Sequence, residues 1–251
     1  MDVIAIFAIN AIVGMLIGWS GIAGFLLPIF YTGYMDYSVT LALTLSFSAF
    51  LVSGIIGSVG YYKSGNLEFK IAIPLGISSL FGAIIGIFLN SMIPVDTVKI
   101  LLNLVVLASG ISILIRERKS KSSKTHNRQI NSRSIILVGV VTSILCALSG
   151  AGGPILVMPL LLLLGVNVKQ AVGIALFDSI FIALPSVIGY GIQVDNIKSV
   201  LGIIFLACFA HGIGVFFGSK TSDHIKQQPL KISVAIFSIG VSLYMLYGLV
   251  L

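Results

Sequence analysis

Apolar runs of roughly 20 residues follow one another along this 251-residue chain, and at two places a run is broken by glycine and proline in its middle. Hydrocarbon offers no hydrogen-bond partner, so a chain of this kind folds as helices that satisfy their own backbone groups. With 57% hydrophobic and only 9% charged residues, no polar stretch is long enough to build a separate core. The expectation is an all-α polytopic protein of the cytoplasmic membrane, forming one integral domain. Met1-Asp2-Val3-Ile4 lacks the basic start and small-residue cleavage site of a signal peptide, and reads as the beginning of a retained first membrane segment.

The two breaks are Ser20-Gly21-Ile22-Ala23-Gly24-Phe25-Leu26-Leu27-Pro28 and Ser149-Gly150-Ala151-Gly152-Gly153-Pro154, the second running on to Pro159. Glycine raises the entropic cost of a helix and proline removes a donor, so neither stretch continues an ordinary helix. Non-helical backbone at membrane depth persists only where it is packed in protein or lines a wet cavity. A Ser-Gly-x-Gly-Gly turn that leads into a helix presents free N–H groups and the positive end of the helix dipole, which makes an anion site without a cationic side chain. The candidate substrate-binding residues are therefore Ser20, Gly21, Gly24, Ser149, Gly150, Gly152 and Gly153. The competing reading is that these glycines only allow helices to cross closely.

Sliding the sequence on itself by 132 residues places Gly18 on Gly150, Gly21 on Gly153, Gly33 on Gly165, Gly57 on Gly189, Gly82 on Gly214 and Gly86 on Gly218. Chance predicts roughly 1.5 such coincidences, so an internal duplication is inferred. The chain divides into a first membrane repeat, residues 1–115, a basic linker, residues 116–133, and a second membrane repeat, residues 134–251. Each repeat reads as a short arm up to the glycine motif (3–18 and 134–148) and a short arm after it (22–34 and 154–166). Three fuller transmembrane helices follow in each: 38–60, 70–90 and 97–115, then 170–191, 197–217 and 232–249. Gly82-x-x-x-Gly86 and Gly214-x-x-x-Gly218 are spacings for close helix packing, read as contacts within the bundle rather than a dimer seam. Pro74 and Pro185 are expected to kink their helices or to lie near helix ends.

Charge decides the topology. The linker holds Arg116, Arg118, Lys119, Lys121, Lys124, Arg128 and Arg133 against Glu117 alone, and so accounts for most of the net charge of +7. A basic loop between membrane segments belongs on the cytoplasmic side, in contact with the bilayer surface, and gives no support to a nucleic-acid role. If each glycine segment spans, the halves have four spans apiece and Lys169, Lys220, Lys226 and Lys231 fall outside. If each is re-entrant, the halves have three spans and are inverted, and only Lys99 and Lys198 fall outside. A first arm of about 16 residues reaches about 24 Å, short of a core of about 30 Å. The inverted arrangement, with a glycine-broken or re-entrant helix plus three transmembrane helices in each repeat, is the one expected.

Two ionisable side chains, Asp178 and His211, lie deep in apolar runs of the second repeat, where the first repeat has Ser46 and Ser79. Intramembrane acids and imidazoles are candidates for carrying protons or touching substrate, and these two are the coupling candidates; the alternative is a polar pair that holds helices together. Asn10, Asn103, Thr44, Ser46 and Ser48 are further polar groups that could line a cavity. Cys146 and Cys208 read as small core residues. No metal site and no cofactor are expected. The partners expected are a small anion, protons and the lipid bilayer, with a homo-oligomer left open.

The duplicated layout, the run Ser149-Gly150-Ala151-Gly152-Gly153 with Pro159 downstream, and the basic central linker together resemble the TauE/SafE family of sulfite exporters and related anion permeases. The resemblance covers essentially the whole chain, with Ala23 standing where the pattern has glycine. It implies secondary transport, in the direction of export, of sulfite, organosulfonates or related sulfur oxyanions. The rival classes are a passive anion channel and a membrane-embedded enzyme with Asp178 and His211 as acid and base. The chain has no His-Glu-x-x-His run and no Gly-x-Ser-x-Gly elbow to support the enzyme.

Overall fold

The computed structural model describes residues 2–21, 23–119, 131–222 and 227–250. Most of the basic linker, Lys226 and Leu251 lie outside the described residues. The described chain is helical throughout, in the order α1 (Asp2–Ser20), a 3-10 turn (Ala23–Phe25), α2 (Leu26–Gly33), α3 (Val39–Lys63), α4 (Phe69–Met92), α5 (Val95–Lys119), α6 (Ser132–Ser149), α7 (Gly153–Leu163), α8 (Val168–Gly191), α9 (Ile197–Thr221) and α10 (Gln227–Val250). Among the described residues seven helices, α1, α3, α4, α5, α6, α8 and α9, are long and apolar enough to cross a membrane. This is a multi-pass integral membrane protein. The arms before the glycine motifs are longer than the sequence suggested: at 19 and 18 residues, α1 and α6 reach about 28 Å and 27 Å.

Local chemistry sets the helix ends. The hydroxyl of Ser38 accepts from the N–H of Leu41, and the side chain of Asn167 accepts from the N–H of Gln170, at 2.9 Å. Gly65 and Gly165 take φ of +72° and +96°, closing α3 and α7 in the left-handed region. Pro74 and Pro185 sit inside α4 and α8, which continue through them.

Close glycine contacts fix the direction of each helix. Gly14 meets His211 while Gly18 meets Val215 and Ser219, so α1 and α9 run in parallel. Gly82 meets Val140 and Gly86 meets Ile144 and Ala147, so α4 and α6 are parallel too. At these four-residue spacings an added β-carbon would collide with backbone of the neighbouring helix, and both GxxxG pairs therefore pack inside the bundle. The centre is the antiparallel pair α3 and α8, in which Gly54 meets Leu176 and Ile180, and Phe47 stacks on Tyr190 with centroids 5.9 Å apart. α9 runs beside α3, and α4 beside α8.

Because α1 and α3 point the same way, the chain reverses between them. Pro28 and Leu43 both lie against Gly150, whereas Gly33 is a short turn from the start of α3, which places α2 antiparallel to α3. Likewise Gly153 lies against Ser179 and Ile182, whereas Leu163 is a short turn from the start of α8, so α7 runs antiparallel to α8. Each glycine motif is thus the tip of a hairpin that returns toward the end of the bundle from which it set out. The helix pairings map onto themselves when α1–α5 is exchanged with α6–α10: α1 with α9 becomes α6 with α4, and α3 with α8 is kept.

Candidate functional site

Both hairpin tips are built in one way. In the first, Ser20 donates its hydroxyl to the carbonyl of Leu16 at 2.8 Å, the N–H of Gly21 reaches Ile17 at 2.7 Å, and Gly21 turns the chain at φ +72°. In the second, Ser149 donates to Leu145 at 2.6 Å, the N–H of Gly150 reaches Cys146 at 2.8 Å, and Gly150 turns at φ +73°. Ser149 also accepts from the N–H of Ala151 at 3.3 Å, so its hydroxyl spends its proton on its own helix. Gly152 follows at φ +79° and ψ 140°, a conformation that side chains oppose, and α7 starts behind it with Pro154 in its first turn and no side-chain cap. The Sγ of Cys146 donates to the carbonyl of Gly152 at 3.3 Å.

The two tips lean on each other. Gly21 lies against Val172 and Pro154, and Gly150 against Leu43 and Pro28. Between them stands Phe50 of α3, whose ring abuts Gly24 on one side and Gly152 on the other. Ser20, Gly21, Gly24, Ser149, Gly150, Gly152 and Gly153 are all buried. Phe50 gave no signal in the sequence; its apolar surroundings make it look like any core residue. A narrow crevice is lined by Thr32, Val39, Val98, Lys99 and Ser149, and Lys99 is half-buried.

The ionisable residues fall into two separate clusters. Asp178, on α8, is fully buried near Ser79 of α4 and Cys146 of α6, whose thiol donates to the carbonyl of Gly152, while the adjacent Ser179 touches Gly153. Neither of its oxygens has a hydrogen bond within bonding geometry among the described residues, although the hydroxyl of Ser79 on α4 is its polar neighbour. Ser79 itself donates to the carbonyl of Gly139 on α6 at 3.2 Å. His211, on α9, is buried against α1, with Asn10 beside it, and neither ring nitrogen is bonded among the described residues. Asn10 donates to the hydroxyl of Tyr31 at 2.7 Å. Asp178 and His211 are not hydrogen-bonded to each other and face different helices, which does not give the adjacent acid and base that an enzyme reading needs.

Asn90 of α4 donates to the carbonyl of Leu148 at 2.7 Å, Tyr190 of α8 donates to that of Ala147 at 2.7 Å, and the indole of Trp19 donates to Thr221 at 2.8 Å. These bonds hold the ends of α6 and α1 against the helices they pack on. No group of His, Cys, Asp and Glu able to hold a metal ion occurs among the described residues.

The sequence matches the family described as Sulfite exporter TauE/SafE over residues 4–245. Similar proteins include the probable membrane transporter protein YdhB of Bacillus subtilis (strain 168), 24% identical over 89% of this chain and 91% of that protein. A probable membrane transporter protein of Haemophilus influenzae is 25% identical over 94% and 95%. Another from Methanocaldococcus jannaschii is 30% identical over 66% and 63%. No solved structure matches the chain. A match that begins in α1 and ends in α10, on a bundle of membrane-spanning helices with paired glycine hairpins, means that the chain belongs to the TauE/SafE family of membrane transporters.

Proposed function

We propose that the protein is a secondary transporter that exports small sulfur oxyanions, sulfite or organosulfonates among them, and that the two glycine tips form the substrate site. The observation that carries this reading is the meeting of both tips at Phe50, where glycine-only backbone and the uncapped start of α7 lie together in the protein interior. An anion held there would be met by backbone N–H groups and a helix dipole, with glycine permitting close approach. The tips are packed shut around Phe50, which corresponds to a state closed to both sides. Asp178, near Cys146 behind the second tip and adjacent in sequence to the Ser179 that touches Gly153, is the group that would link proton movement to substrate occupancy.

Alternating access follows from two inverted repeats, each contributing one hairpin from an opposite end of the bundle. The opposed directions of α1 and α6 and the exchange symmetry of the pairings support this. The cytoplasmic end is the one with Lys63, Lys70, Arg133, Lys169 and Lys220; the other end has Lys99 and Lys198 together with Asp36, Asp96 and Asp195.

The test is transport by purified protein in liposomes. Saturable uptake of sulfite or a sulfonate, accelerated by unlabelled substrate on the far side, is expected, whereas unsaturable flux with no acceleration identifies a channel. Gly152→Ala, forced to a positive φ at a cost of roughly 1–3 kcal/mol, with its methyl 3.3 Å from the Phe50 ring, is expected to lose at least ten-fold in uptake while still purifying as folded protein. Normal uptake by this variant would reduce the motif to a packing device.

A further inference from the structure

A cavity of about 620 Å³ opens between the C-terminal halves of α3 and α9, at the end of the bundle where α6 begins, and takes no part in the hairpin site. Its walls are Ile55, Ile56, Val59 and Phe216, and its rim carries Lys63 and Lys220 with Ser64 and Ser219. Among the described residues no acidic side chain lines it. Ile55, Val59 and Phe216 are about half exposed on the outer surface of helices that span the membrane, so the walls continue into the hydrocarbon-facing surface. The rim lysines stand in the last turn of each helix, at headgroup depth; Lys220 lies over the ring of Phe216, 5.9 Å from its centroid.

The cavity has a specific cause. Exchange of the two halves carries the α3–α9 crossing onto the α8–α4 crossing, yet the two are filled differently. A β-carbon at Gly189 would meet Ile87 at 2.8 Å, whereas one at Gly60, which faces the residue 132 positions after Ile87, would meet only the small Ser219 at 3.3 Å. Serine in place of isoleucine leaves the space open at one end. At the same 132-residue shift Lys63 and Lys220 fall on Asp195 and Phe88, so the cationic rim also exists at one end alone.

We propose that this cavity binds one anionic phospholipid, with an acyl chain against Ile55, Val59 and Phe216 and the headgroup phosphate between Lys63 and Lys220. The apolar wall open to the bilayer selects a lipid over a soluble anion, and the paired rim cations Lys63 and Lys220 favour an anionic headgroup over a zwitterionic one.

The proposal is tested on the intact protein in detergent by native mass spectrometry and thermal unfolding with added phosphatidylglycerol or phosphatidylcholine of matched chains. Phosphatidylglycerol is expected to remain bound at one copy and to raise the unfolding midpoint more than phosphatidylcholine does. Lys63→Gln is expected to weaken it about five-fold, and Lys63→Gln with Lys220→Gln about 30-fold. Ser219→Ile, which places at this crossing the side chain already accommodated at the other, is expected to abolish binding of either lipid without lowering the midpoint measured in detergent alone. Equal retention of both lipids, unchanged phosphatidylglycerol binding in the lysine variants, or equally tight binding of glycerol phosphate without acyl chains would each overturn it. None of these readouts depends on substrate or transport direction.

Discussion

A carboxyl group sealed among helices, with Ser79 as its polar neighbour and no well-formed hydrogen bond among the described residues, is an expensive thing to retain, since a buried polar group without a partner costs about 1–3 kcal/mol. That cost fits the proposed role of Asp178 in coupling, and its neighbours Ser79 and Cys146 stand behind the second hairpin tip. Asp178→Asn keeps the shape but cannot exchange a proton. The variant is expected to retain substrate exchange in liposomes and to lose accumulation driven by a pH gradient, measured as the plateau of labelled substrate with and without that gradient. If the plateau matches that of the unaltered protein, coupling lies elsewhere and Asp178 serves the packing of α8. The sequence identified Asp178 and His211 as unusual from their apolar surroundings alone. It carried no sign that they belong to different clusters, because a charge in an apolar run does not reveal which neighbouring helix it faces.

Helices α1 and α6 each pack along a partner through glycine, and the price of a side chain differs sharply along one helix. On α9, a methyl at Gly218 would strike the carbonyl of Met15 and the Cα of Gly18, while a methyl at Gly202 has nothing within 4 Å. Gly218→Ala is expected to lower stability by roughly 1–3 kcal/mol through overpacking. Gly202→Ala is expected to be neutral or to stabilise by up to about 1 kcal/mol, because alanine is the better helix former. Detergent-solubilised unfolding midpoints compare the two directly, and equal shifts would contradict the packing of α1 on α9. The GxxxG spacing was legible beforehand. Which helix each pair would meet was not, since the same spacing serves a crossing within the bundle or between copies.

At the scale of the whole molecule, the reversal at each hairpin places the start of α6 opposite the start of α1 and brings the end of α10, through Met245, beside Gly33 at the α1 end. The linker and the last residue of the chain should then lie on opposite sides of the membrane, with the linker inside. Cysteine substitutions Ser122→Cys and Leu251→Cys, probed in intact cells with an impermeant thiol reagent, are expected to label from the cytoplasmic and outer faces respectively. Labelling of both from one face would remove the inverted arrangement and favour glycine segments that each count as a single span.

The sequence by itself determined the membrane class, the approximate bounds of most helices and the two breaks. All of these depend on composition along a single segment, which hydrocarbon solvation reads residue by residue. Only the tertiary structure decided the direction of each hairpin, the position of Phe50 between the tips, the separation of Asp178 from His211 and the cavity opened by Ser219 at one crossing. Helices that are apolar all round carry little periodic signal to mark the face that turns inward. Their neighbours are chosen by steric fit at glycine and serine, which exists only once two helices have met.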